Sequence, residues 1–197
     1  MAISNLSTSS MVSGVKRRKI WDQSATTDGF FQIATTTVGA TSVADVTFSS
    51  IPADYTHLQI RCITRSNDAN NYAQNLNIRF NSDTASNYSR HGIEGDGAAV
   101  YAFSTLSTYT VGGIVTGNGQ GANIFSSNII DIYDYANTNK FKTTRALCGN
   151  DANSATGQIL FQSGNWRSTN AITSIRLYSA VGNLIQYSRF DLYGVKA

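Results

Sequence analysis

Charge is scarce in this chain. Asp, Glu, Lys and Arg together make up 14% of its 197 residues, and Glu, Lys and Ala are too few for a helix bundle. Proline is almost missing, with Pro52 alone, so turns must come from Asn, Asp and Gly, which close Asx turns or tolerate left-handed backbone. Two histidines, His57 and His91, leave little room for acid–base schemes. The two cysteines, Cys62 and Cys148, sit in no close Cys or Cys–His pair of the kind zinc requires. Each falls on the apolar side of a predicted strand, which predicts buried free thiols. No apolar run reaches membrane-spanning length, and MAISNLSTSS lacks the apolar core of a signal peptide. The expectation is a soluble protein made in a reducing cytoplasm, with no membrane partner.

What is present favours strands. Aromatic residues reach 11% and the hydrophobic share is 41%, too apolar for disorder. The net charge of +3 is local in origin. Four of the 15 basic residues are consecutive, Lys16, Arg17, Arg18 and Lys19, and no acid precedes Asp22. The remaining sequence carries 11 basic against 12 acidic residues. A broad basic face for nucleic acid is therefore not expected.

Residues 1–29 read as an extended N-terminal arm, rich in Ser and Thr, with scattered apolar residues of neither helical nor strand period. Residues 30–197 read as one domain. In HLQIRCITR, Leu58, Ile60 and Cys62 alternate with His57, Gln59, Arg61 and Ile63, the pattern of a half-buried strand. NLNIRF places Leu76, Ile78 and Phe80 inward, and FDLYGV does so with Phe190, Leu192 and Gly194. Polar turn segments such as NDANN, NSDTASN, TGNGQG and SAVGN separate these runs. About ten or eleven short strands at such spacing predict an all-β fold, a jelly-roll-like β-sandwich behind the arm.

The candidate sites are few. FNSDTASNY, residues 80–88, has one carboxylate and no EF-hand glycine or bidentate Glu, so it reads as a turn in which Asn81 and Asp83 bind backbone amides, not as a calcium loop. His91 in SRHGIEGD has acids nearby but no GxSxG elbow anywhere in the chain. TGNGQG lacks the Lys-Ser/Thr of a phosphate loop. No catalytic, metal or cofactor site is predicted, and the chain reads as a non-enzyme. VKRRKIWDQ is different. Lys16, Arg17, Arg18 and Lys19 beside Ile20 and Trp21 suit docking in trans onto an acidic protein surface, with Arg and Trp as anchors; the alternatives are an ordinary solvated tail or a nuclear-localisation or nucleic-acid contact. Tyr133, Tyr135 and Trp166 are candidates for a glycan-stacking platform, against the plainer reading of aromatic packing at the sandwich ends.

SSIPADYTHLQIR, RFNSDTASNYSRHGIEGDG, IIDIYDYANTNKFKT, GNWRSTNAITSIRLYS and FDLYGVKA form a set. Together they resemble a recurrent pattern in virion structural proteins of tailed bacteriophages, cyanophages among them, over about residues 30–197; SNLSTSSMVSGVKRRKIWDQSA is similar to the arms preceding such domains. The resemblance implies a trimeric jelly-roll module without catalytic residues, either a head decoration (cement) protein bound to the major capsid protein or a tail-fibre component recognising host glycans. It further implies a place on the capsid surface of the virion, after assembly in the bacterial host cytoplasm.

Overall fold

The computed structural model describes residues 29–69, 72–152 and 156–196. The predicted arm lies outside the described residues, apart from Gly29, which opens the first strand. Twelve strands follow: β1 (Gly29–Thr37), β2 (Val46–Phe48), β3 (His57–Thr64), β4 (Ala73–Phe80), β5 (Tyr88–Gly95), β6 (Val100–Ser107), β7 (Thr110–Thr116), β8 (Ser126–Tyr133), β9 (Lys142–Asp151), β10 (Gly157–Trp166), β11 (Ile175–Ser179) and β12 (Arg189–Lys196). They form two antiparallel sheets, β1-β12-β3-β8-β9-β10-β5-β6 and β2-β11-β4-β7.

Eight of these strands make a jelly roll. One half of the large sheet runs β1-β12-β3-β8, and the small sheet runs β2-β11-β4-β7, the interleaved order of two Greek keys. The remaining four are two hairpins, β5–β6 and β9–β10, inserted between β4 and β7 and between β8 and β11. Both add to the same side of the large sheet, beyond β8. The fold is an all-β sandwich with one sheet doubled in width.

The alternation read from sequence sets the core. Leu58, Ile60 and Cys62 of β3 are buried, as are Leu76, Ile78 and Phe80 of β4 and Phe190 and Leu192 of β12. These side chains meet Val46, Phe48, Ile130, Ile132, Ile175 and Leu177 between the sheets. Both cysteines are buried free thiols. Burial pushes the Cys148 thiol up to about 12 and that of Cys62 higher still, although a hydrogen bond from Asn128 opposes the latter. A buried polar seam also ties the sheets together. The Ile114 amide donates to Asn128 Oδ1 at 2.7 Å, Asn128 Nδ2 donates to Thr64 Oγ1 at 3.1 Å, and Ser126 Oγ donates to the Ile114 carbonyl at 2.6 Å. Buried groups of this kind are tolerated because they are mutually satisfied.

FNSDTASNY is a turn with a structural role. Asn81 and Ser82 have φ of 50° and 58°, the left-handed region that Asn enters cheaply. Asp83 Oδ1 accepts from the Ala85 amide at 2.9 Å, while Oδ2 accepts from Asn87 Nδ2 at 3.0 Å and from the Trp166 indole Nε1 at 2.7 Å. Partial desolvation alone would raise the carboxyl, but the Asn87, Trp166 and Ala85 donors outweigh it and hold the group below the usual carboxylate range. A depressed folded value stabilises above the unfolded titration near pH ~4, and that stability is lost as pH falls through the folded value. Asp83→Asn is therefore expected to lower stability at pH 7 by about 1 kcal/mol, since a charged acceptor is lost, and to flatten the acid limb. Urea titrations at pH 7 and pH 3 check this; parallel acid limbs in the two proteins would remove Asp83 as the acid-sensitive clamp.

Candidate interaction surface

The outer face of the large sheet is where the chain departs from a sandwich with one wet face. In an antiparallel sheet of that kind, apolar positions point inward and polar ones outward. Across the inserted hairpins many outward positions are apolar too. Ile129 of β8 pairs with Leu147 of β9, Leu147 with Phe161 of β10, Phe161 with Ile93 of β5, and Ile93 with Ala102 of β6. This is one continuous row across five strands. Ile129, Leu147, Phe161 and Ile93 are 43, 49, 46 and 52% exposed.

A second row runs two residues along. Ile63 pairs with Ser127, Ser127 with Gly149, Gly149 with Ile159, Ile159 with Gly95, and Gly95 with Val100. Exposed Ile63, Ile159 and Val100 thus alternate with small residues. The hollow centred on Gly149 forms an open groove of about 810 Å³, walled by Ile63, Ile129, Leu147 and Ile159. Glycine is required there by close approach, since a Cβ would stand 2.9 Å from the Gln158 carbonyl oxygen.

Two arginines bordering the rows are ion-paired on the face itself. Arg145 Nη2 donates to Asp131 Oδ2 at 2.8 Å, and Arg189 Nη2 to Asp191 Oδ1 at 2.9 Å. Hydrogen bonds from Arg189 and Thr35 outweigh desolvation and hold the Asp191 carboxyl low. Arg61 Nε donates to Gln59 Oε1 at 2.8 Å, and its guanidinium lies over Phe30 and Tyr193. His91 is exposed on the same face, in register with Ser163 and Ser104. No group of three or more His, Cys, Asp or Glu able to hold a metal ion occurs among the described residues.

Burial favours the plainer reading, aromatic packing, for two of the three candidate glycan-stacking rings. Tyr135 is wholly buried and its hydroxyl donates to the Pro52 carbonyl. Trp166 is 2% exposed because β10 continues through it, turning the indole inward against Phe80 and Tyr88. Two of the three proposed rings therefore have no free face. Tyr133 is half-buried, edge-on to His57 with Arg145 over its ring. TGNGQG is held in the opposite sense to a phosphate cradle: buried Arg65 donates to the Gly121 and Ile124 carbonyls at 2.9 and 2.7 Å, so these carbonyls face a cation. Lys16, Arg17, Arg18, Lys19, Ile20 and Trp21 lie outside the described residues.

The exposed rows did leave a signal in the sequence. SNIID, RALCG and QILFQ carry adjacent apolar residues, so Ile129, Leu147, Ile159 and Phe161 break the two-residue alternation. Near-continuous apolar runs belong to strands covered on both faces. The small sheet covers one face here. No family model matches the chain, and no curated protein and no solved structure does.

Proposed function

We propose that this chain is a structural protein of a bacteriophage virion, of the capsid-decoration (cement) type, working by assembly and not by catalysis. The observation that carries the assembly reading is the apolar outer face of the doubled sheet. Contiguous exposed apolar area on a rigid scaffold is the signature of an interaction surface, and here two inserted hairpins build most of it. The phage assignment rests on the resemblance of the phrases quoted above. In this reading the β-sandwich forms a homotrimer that binds the major capsid protein, and the basic segment around Arg17, Arg18 and Trp21 staples each subunit to its neighbours.

Copy number tests the assignment. On a stained gel of purified virions, a cement protein is expected at hundreds of copies per particle. A few copies would instead favour the tail-fibre reading, and absence from virions would overturn both. The arm is tested by adding purified full-length variants to particles lacking the protein. Replacing Lys16, Arg17, Arg18 and Lys19 with Ser is expected to weaken attachment and reduce its salt dependence, because exposed charge pairs are screened over about 8 Å at physiological salt. Trp21→Ala is expected to weaken it at every salt concentration alike. Unchanged attachment by both variants would leave the basic run as an ordinary solvated tail.

A further inference from the structure

We propose that the apolar outer face of the large sheet, centred on Ile129, Leu147, Phe161 and Ile93, is the surface on which a second copy of this chain packs. The inference rests on the assembly reading above and names the partner at that face.

Area sets the scale. Ile63, Ile93, Ile129, Leu147, Ile159 and Phe161 are each about half exposed and together present roughly 500 Å² of apolar surface, near the top of the range for the largest patch on a monomer. With Val100, 76% exposed, exposed Ala102 and the small residues between them, the face approaches the ~800 Å² per partner of a stable interface.

Charge selects the partner. Arg145 and Arg189 are already bonded to Asp131 and Asp191 on the same face. Arg61 and Asp151 also line the groove, so with the two ion pairs the face holds three cations and three carboxylates, and a partner without net charge leaves that balance undisturbed. An acidic or basic partner would compete with pairs already made. The partner that fits is an equally apolar, internally neutral sheet face, and this chain supplies one.

Shape agrees. Exposed Ile63, Ile159 and Val100 alternate with Ser127, Gly149 and Gly95 along one row. Ridges in one part of the face therefore seat in hollows of a different part on the next copy, the heterologous contact that a closed three-fold ring requires. Residues 1–28 are the competing occupant within the chain. They join at β1, on the far edge of the sheet from the hairpins, and their apolar residues follow no two-residue period that would match a pleated face.

The test is sedimentation of the full-length protein over a concentration series, beside Leu147→Lys and Ile93→Lys. Both side chains are half exposed, so both variants are expected to fold with nearly unchanged melting temperature. The wild type is expected to associate, and each variant to need at least tenfold more protein for the same degree of association. A wild type that stays monomeric at high concentration would overturn the proposal. So would association unaffected by either substitution, which would place the interface elsewhere. If Leu147→Lys fails to fold, Ile93→Lys, on another hairpin, decides the question alone. Particle binding is scored separately: a monomer that decorates virions fully sinks this interface and the homotrimer but leaves capsid decoration standing, whereas an associating protein absent from virions overturns capsid decoration and leaves this interface standing.

Discussion

Replacing Trp166 with Ala is expected to cost about 3–5 kcal/mol of folding stability, the range for emptying a large aromatic site in a packed core. Three features add to that expectation. The ring is 2% exposed and sits 5.6 Å from Phe80 and 6.3 Å from Tyr88, centroid to centroid. Its Nε1 satisfies Asp83, which also braces the β4–β5 turn through Ala85 and Asn87. The Tyr88 hydroxyl, pushed up to about 12 mainly by burial, accepts from the Phe80 amide at 3.1 Å. Removing the indole thus opens a cavity and takes one of three donors from the Asp83 carboxylate. Trp166→Phe separates the two effects, because it keeps most of the ring volume and loses only the donor, at about 1–3 kcal/mol. Denaturant unfolding of the two variants measures both. A near-neutral Trp166→Ala that abolished binding to a glycan array would restore the stacking platform and displace the core assignment.

The second large effect is expected at Lys142. Its side chain is fully buried, and Nζ donates to the carbonyls of Asn137, Lys140 and Thr169 at 2.6, 3.0 and 3.2 Å. Burial lowers the ammonium from its ordinary value, and Asp134, ion-paired to Lys140 at 2.5 Å, pulls the other way. The ammonium is the hub that closes the β8–β9 connection onto the segment after β10. Lys142→Met preserves the stem and removes the donors, leaving three carbonyls unsatisfied at about 1–3 kcal/mol for each that water does not reach. A total loss of about 3 kcal/mol is expected, with the β8–β9 connection the first region to lose hydrogen-exchange protection. Lys142→Arg is not expected to rescue it, since a planar fork does not match three converging carbonyls. Stability unchanged in Lys142→Met would show that water replaces the ammonium without cost.

Much of the sandwich was legible because strand alternation is a local property. Leu58, Ile60, Cys62, Leu76, Ile78 and Phe80 point inward as read, since a side chain's face follows from its parity along a pleated strand. FNSDTASNY was legible as a turn because Asx chemistry acts within a few residues. Trp166 was not. Its flanks, Gly164, Asn165 and Ser168, have loop composition, and only the pairing of Trp166 with Tyr88 on one side and Lys142 on the other extends β10 to it. Arg65 and Lys142 escaped for a related reason. Cations are read as exposed by default, and the carbonyls that satisfy these two come from segments distant in the chain or from the shape of a loop.

By itself the sequence determined the class of fold, the inward faces of the regular strands, the turn chemistry and the concentration of positive charge in residues 16–19. Each depends on neighbours a few positions away, where parity, dihedral preference and composition act directly. Tertiary structure alone decided that both inserted hairpins extend the same sheet, and so that Ile129, Leu147, Phe161 and Ile93 stand in one exposed row. Which strands become neighbours depends on long-range pairing, and a composition that makes a strand apolar on both sides does not say which side the chain will cover.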